Sequence, residues 1–340
     1  MTRAYNTATT QQNSGGTLNP FAVGKNKIIN GDFGVWQRGT SNNLSSGADN
    51  IYTADRFVDF YIGTGTTTIS QQAFTPGTAP VVGYEGSFFK RAALSSGTTY
   101  YSTQQKIEDV RTLAGQTVTI SFWAKATSSI GFLIYWRQNF GSGGSANVDT
   151  TSGMTVSSSS WTRYSVTIAA PSVAGKTIGT GSHVQVLLAQ SGGTVASNTV
   201  DFWGFQVEAG SVATPFTTAT GTIQGELAAC QRYFYAANGS NRYSIAQGQA
   251  TSSSAAQMYV TFPAPMRTSA SFTFVGSVSN LILITSTGAS AGSPGAISMG
   301  FGAENLARID TSGGANLTAG NFTALQYSSG SPSFQFSAEL

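Results

Sequence analysis

Charged residues are scarce in this chain: Asp, Glu, Lys and Arg together make up 9% of its 340 residues, where soluble proteins carry about a quarter. The formal net charge is only +3, and no run of Lys or Arg occurs. This excludes the electrostatic footprint of a nucleic-acid binder and disfavours anionic membranes as partners. The chain has one cysteine and one histidine. Cys230 alone excludes an intrachain disulfide framework. With His183 the sole imidazole, most acid–base and nucleophilic mechanisms lack their groups, as does zinc coordination. Long apolar runs are missing too: nothing approaches the roughly 18 residues that span a bilayer. Met1–Thr10 has neither the basic start nor the apolar centre of a secretory leader. Neither secretion nor membrane insertion is therefore expected.

What is abundant is glycine, at 40 residues, and aromatic side chains, at 11%. Aromatics at that level argue against disorder. Glycine disfavours helix interiors, whereas Thr, Val, Phe, Tyr and Trp suit a pleated surface, so the composition points to an all-β protein with many turns. The length leads to an expectation of two domains, each large enough to bury its own core.

Residues 1–24 are polar and aperiodic, broken by Gly15, Gly16 and Pro20, and read as an extended arm. From residue 25 to 220 come short strand-like runs separated by turns, the spacing of a β-sandwich. In TVTISFWAK, alternation puts Val118, Ile120 and Phe122 on one face and Thr119, Ser121, Trp123 and Lys125 on the other. Phe132, Ile134 and Trp136 likewise oppose Leu133, Tyr135 and Arg137. Tyr164, Val166 and Ile168 form a further inward set, as do Val184, Val186 and Leu188. IQGELAACQRYFY is a candidate junction helix over 221–235, with Glu226 near its positive end. Residues 236–340 return to short strands and glycine-rich turns, a second and smaller β domain.

The outward set of the first domain is Trp123, Lys125, Tyr135, Arg137, Trp161, Arg163, His183 and Gln185. Aromatic faces stack on sugar rings while amides and cations bond their hydroxyls, so this set reads either as a glycan-binding face or as a subunit interface. Cys230, Arg232 and Tyr233 read as packing at the domain junction. No site for catalysis is expected. Of the carboxylates a glycosidase could use, Glu85 stands singly, adjacent Glu108 and Asp109 point to opposite faces of a strand, and Asp55 and Asp59 read as turn and surface positions.

KNKIINGDFGVW, residues 25–36, resembles the opening strand of jelly-roll carbohydrate-binding modules, with Gly34 where that pattern has Glu. SFWAKA, SSSSWTRYSVTIAAP and NTVDFWGFQVEAGSVATPF follow in the same order. More narrowly, Gln206, Glu208, Gly210, Thr214, Pro215 and Phe216, followed by Glu226, Leu227, Cys230, Gln231, Arg232 and Tyr233, resemble a segment of bacteriophage tail-fibre and related virion proteins. TFPAPMRTSASFTF resembles its continuation. The resemblance implies a jelly-roll β-sandwich and a virion protein assembled in the host bacterial cytoplasm. It further implies an arm that anchors to other virion proteins, a homotrimer, and attachment to a host-surface glycan. It also implies a structural calcium ion, for which Asp32 and Asp201 occupy comparable places, and no other cofactor. A capsid decoration protein and a glycan depolymerase are the alternatives. If the aromatic face binds glycan, Trp123→Ala and Tyr135→Ala should reduce adsorption while leaving assembly intact.

Overall fold

The structure, a computed structural model, describes residues 24–47, 51–81, 86–157, 159–238, 244–314, 316–330 and 332–340. The expected arm, apart from Gly24, and Glu85 lie outside the described residues. The chain divides into two compact units, Met1–Leu227 with Leu340, and Ala228–Glu339.

The first unit contains β1 (Ser41–Leu44), β2 (Ile51–Tyr52), β3 (Phe57–Gly63), β4 (Thr67–Ala73), β5 (Phe88–Leu94) and β6 (Thr98–Glu108). These are followed by β7 (Thr117–Ala126), β8 (Ile130–Asn139), β9 (Val148–Val156), β10 (Thr162–Ala169), β11 (His183–Ser191) and β12 (Asn198–Ala209). They form two six-stranded sheets, β1-β4-β5-β12-β7-β10 and β2-β3-β6-β11-β8-β9, and every pairing between neighbours is antiparallel. Successive strands from β6 onward pass repeatedly from one sheet to the other, the wiring of a jelly roll. The inward sets expected from alternation are observed. Val118, Ile120, Phe122, Phe132, Ile134 and Trp136 are each 0% exposed, and Phe122 stacks on Phe205 with centroids 4.7 Å apart.

Strict alternation fails in β12, and the failure organises one end of the sandwich. In NTVDFWGFQVEA a regular strand would put Phe202 and Gln206 on the same face. A bulge between Trp203 and Gln206 shifts the register, with Gly204 at φ +67°, a conformation glycine adopts without strain. Phe202, Phe205 and Val207 therefore all enter the core, while Trp203 joins a separate cluster. A side chain at Gly204 would lie 2.8 Å from the Trp123 ring.

The opening motif clamps this bulge. Gly31 accepts from Phe205 N at 2.9 Å, and a Cβ at position 31 would strike the Phe205 carbonyl oxygen at 2.2 Å. Asn26 Nδ2 donates to Phe205 O and Thr217 O, and its Oδ1 accepts from Ile28 N and Val207 N. Asn30 closes its own loop through Val35 and Asp55. The Asn and Gly positions of KNKIINGDF thus hold strands together.

Asp55 and Asp59, expected at turn and surface positions, are 1% and 0% exposed. Asp55 accepts from Gln37 N at 2.9 Å and fixes the preceding loop. Asp59, on the inward side of β3, meets the inward-facing Lys90 of β5.

α1 (Ile223–Gln231) is capped by Thr222, whose hydroxyl accepts from Gly225 N at 3.0 Å. It is shorter than the 221–235 span expected, because Phe234 and Tyr235 already belong to β13 (Phe234–Asn238). β14 (Ser244–Ala250), β15 (Ala256–Thr261), β16 (Ser271–Val275), β17 (Leu281–Thr285), β18 (Ala296–Gly302), β19 (Leu306–Ser312), β20 (Phe322–Tyr327) and β21 (Ser333–Ser337) follow. The second unit has a three-stranded sheet, β13-β21-β16, and a six-stranded sheet, β17-β20-β14-β15-β19-β18. Its core holds Met258, Leu281, Leu283, Ile309, Tyr327, Phe334 and Phe336.

Candidate functional site

The eight outward residues expected to make one face belong to two different sheets. Trp123, Lys125, Trp161 and Arg163 lie on or beside β7 and β10 in the first sheet, and Tyr135, Arg137, His183 and Gln185 on β8 and β11 in the second.

On the first sheet the outer face is covered by the chain itself. After β12 the segment through residues 211–217 folds back, fastened by Glu208. Its carboxylate accepts from Gln206 Nε2 (2.6 Å), Thr214 N (3.0 Å) and Thr214 Oγ1 (2.6 Å), and Gln206 Oε1 accepts from Thr217 N (3.0 Å). This clasp sets Phe216 against Trp203 at 5.0 Å and Trp123 at 6.5 Å, in a cluster with Phe89 and with the partly buried Phe74 and Trp161. Arg163 lies 4.6 Å from the Trp123 ring centre and bonds the carbonyls of Ala213 and Thr214. Lys125 lies over Trp161 at 5.1 Å. Trp123 is 8% exposed. Trp123 therefore belongs to a secondary core, with Trp161, Lys125 and Arg163 half-buried around it. Gln206, Glu208, Thr214 and Phe216 are the parts of this clasp.

The outer face of the second sheet carries a groove of about 650 Å³, within the usual range of ligand clefts. Its floor is built in cross-strand rows. Ile62 of β3 stands opposite Tyr100 of β6, and Phe60 opposite Ser102. In the next row Val58, Gln104 and Leu187 run across β3, β6 and β11. Lys106, Gln185 and Arg137 make the following row, and His183 faces Asn139 beyond it. One end is thus apolar and aromatic, with Phe60 and Tyr100 edge to face at 5.8 Å. The other end presents amides and cations.

Neighbours hold these polar groups in place. Gln185 Nε2 donates to Gln104 Oε1. Arg137 makes a two-pronged pair with Asp149, at 2.8 and 2.7 Å, which raises the guanidinium's pKa and lowers that of the Asp149 carboxyl. His183 Nδ1 lies 2.9 Å from Gly181 O. Arg137, His183 and Gln185 line the groove, and Tyr135 shares the face one row along, beside Leu187. No Asp or Glu is among the lining residues, which include Leu340, whose main-chain oxygen accepts from Lys106 Nζ at 2.6 Å.

Phe60, Ile62, Tyr100, Ser102, Gln104 and Lys106 were not among the expected site residues. Their signal was alternation in FVDFYIG and TTYYSTQQK, the same evidence that picked out Tyr135 and Arg137.

Asp32 and Asp201 do not come together as a calcium site. Both oxygens of Asp201 are taken by Arg91, at 2.7 and 2.9 Å, with Lys125 3.5 Å away. Asp32 is influenced by the Glu226 carboxylate instead, and its pKa rises to about 6 through burial and that like charge. Glu226 is fully buried and accepts from Asn30 N and from Thr220 N and Oγ1. Calcium requires six to eight oxygens, and among the described residues no group of three His, Cys, Asp or Glu side chains could hold a metal ion. Cys230 and Tyr233 are buried. The main-chain carbonyls of Arg232 and Tyr233 accept from Arg267 N and Ala338 N.

No protein-family model and no curated protein matches the chain. Among solved structures it is similar to the enzymatically active domain of tailspike protein 4 of bacteriophage CBA120, at 15% identity and TM-score 0.37. That match covers 57% of this chain and 22% of the tailspike chain. It is also similar to a family 61 carbohydrate-binding module in complex with β-1,4-galactotriose, at 11% identity and TM-score 0.32, covering 54% of this chain and 99% of that one. A family 11 module from Clostridium thermocellum, in complex with a mixed-linked tetrasaccharide, matches at 11% identity and TM-score 0.31, covering 52% and 98%. Likeness at this level leaves the site to be argued from its own geometry.

Proposed function

We propose that this chain is a non-catalytic structural protein of a phage particle, of the tail-fibre type, which attaches to the host surface by holding a glycan chain in the groove on the second sheet of its jelly roll. The observation that carries the reading is the grading of that groove. Phe60, Ile62 and Tyr100 offer a surface to the apolar face of a sugar ring, and Gln104, Gln185 and Asn139 offer donors and acceptors to its hydroxyls. Glycoside hydrolysis requires two carboxyl groups flanking the bond. A groove lined without Asp or Glu favours binding without cleavage.

The tail-fibre assignment and a homotrimeric state rest on the resemblance of Gln206–Phe216 and Glu226–Tyr233 to virion proteins. Among the described residues no helix is long and apolar enough to cross a membrane. The test is a glycan array probed with the purified protein, paired with gold labelling of intact particles. The reading expects binding to host envelope glycans, no release of new reducing ends, and label at the tail. Label on the head would favour a decoration protein, and new reducing ends a depolymerase.

A further inference from the structure

Asp59 and Lys90 meet inside the sandwich, Asp59 on β3 of the second sheet and Lys90 on β5 of the first. Both side chains are 0% exposed, and Lys90 Nζ lies 2.6 Å from each oxygen of the Asp59 carboxylate. With both contacts at hydrogen-bond length, the carboxyl carbon between those oxygens is within near-attack range of the nitrogen. The surroundings are apolar, with the Phe57 and Phe33 rings 5.5 and 5.9 Å from Nζ. Burial lowers the Lys90 pKa against the opposing pull of Asp59, and a desolvated lysine is a nucleophile once it is neutral.

A ring of hydrogen bonds gives the ammonium proton a second route to the acid. Lys90 Nζ donates to Thr103 Oγ1 at 2.7 Å, Thr103 bonds the Tyr101 hydroxyl, and that hydroxyl donates to Asp59 Oδ1 at 2.7 Å. Each hydroxyl can accept one proton while it gives up another. A shift of one proton along every link leaves a neutral amine beside a carboxylic acid and restores both hydroxyls. Asp59 Oδ2 is held separately, by the hydroxyl of Thr53.

We propose that Lys90 and Asp59 join in an amide bond between the two sheets, formed by the folded chain itself. The Nζ lone pair adds to Cγ, the Nζ–Cγ bond forms, and the Cγ–Oδ1 bond breaks. Two of the three ammonium protons leave with Oδ1 as water, and the third stays as the amide N–H. Charge and atoms balance without an oxidant or cofactor. The product keeps its partners, with the N–H facing Thr103 and Oδ2 accepting from Thr53. It also replaces two buried charges, which are costly to hold out of water, with one neutral group. Until the bond closes, the two side chains stand as an ion pair. Closure gives a chain with a single cysteine a covalent tie across its core, and it stands whether or not the groove binds glycan.

The experiment is intact-mass spectrometry of the purified full chain, denatured after increasing times in the folded state. The mass is expected to fall by one water. Trypsin should then leave residues 57–91 as one peptide, uncut after Lys90, and chymotrypsin, which cuts after Phe60 and Phe89, should leave the segments bearing Asp59 and Lys90 joined. Lys90→Arg keeps the charge but cannot form this amide, and should stay at full mass. Tyr101→Phe breaks the relay and keeps the ring, and should lose water at least about tenfold more slowly than the wild type. A wild-type chain that stays at full mass after prolonged incubation, or water loss that persists in Lys90→Arg, would overturn the proposal. An unchanged rate in folded Tyr101→Phe would overturn the relay.

Discussion

Lys90 Nζ lies 2.6 Å from both carboxylate oxygens of Asp59, joining the two sheets of the jelly roll through an ion pair in which both side chains are 0% exposed. Thr103 Oγ1 accepts from the same ammonium at 2.7 Å, and the Tyr101 hydroxyl donates to Asp59 at 2.7 Å. The rings of Phe57 and Phe33 lie 5.5 and 5.9 Å from the charge. Burial lowers the Lys90 pKa against the pull of Asp59 and raises that of Tyr101.

A buried pair of this kind is costly to break and nearly neutral to replace. Lys90→Met strands the Asp59 charge and is expected to cost about 3 to 5 kcal/mol. Lys90→Met combined with Asp59→Leu should recover much of that loss. Denaturant unfolding of both variants measures the difference.

Asp32 gives the fold a pH dependence of definite sign. In the folded chain its carboxyl holds its proton up to about pH 6, against 3.8 for the ordinary value. Between these values the native state binds more protons than the unfolded one, so this group's contribution falls as pH rises and is fully lost above about pH 6. Asp32→Asn is therefore expected to stabilise the protein by about 1 to 3 kcal/mol at pH 7 and to change little at pH 4. Melting curves at the two pH values compare them.

The clasp over the first sheet is expected to be a stability element. Phe216→Ala should cost about 2 to 4 kcal/mol. Glu208→Ala should release the 211–217 segment and shift the emission of Trp123 and Trp203 to the red. Trp123→Ala, which a binding-face reading would use to test adsorption, should instead destabilise the fold by about 3 kcal/mol.

Gly204→Ala tests the bulge. The substitution forces a Cβ into φ +67° and to within 2.8 Å of the Trp123 ring. A loss of about 1 to 3 kcal/mol is expected, read as a lower unfolding midpoint.

The strands of the core were legible because β-alternation is a local property: Val118, Ile120, Phe122, Phe132, Ile134 and Trp136 point inward as their spacing says. What could not be read depends on distant chain. Nothing near Trp123 signals that Phe216, more than ninety residues on, will cover it. The bulge at Gly204 overrides the very alternation used to find strands. Asp59 looked like a surface carboxylate because its neutralising partner, Lys90, sits on the opposite sheet. Of the groove, the β8 and β11 half was found. The β3 and β6 half carried the same alternation in Phe60, Tyr100, Ser102 and Gln104, but only sheet order shows that all four strands share one face.

The central claim is that the groove holds glycan and does not cut it. Its most direct test is calorimetric titration of purified host envelope polysaccharide into the wild-type chain and into Tyr100→Ala and Gln185→Ala, with reducing ends assayed in the same samples. The account expects wild-type binding, a loss of tenfold or more in each variant, about 1.4 kcal/mol, unchanged melting temperatures, and no new reducing ends. Wild-type affinity in both variants, or release of reducing ends by the wild type, would contradict it.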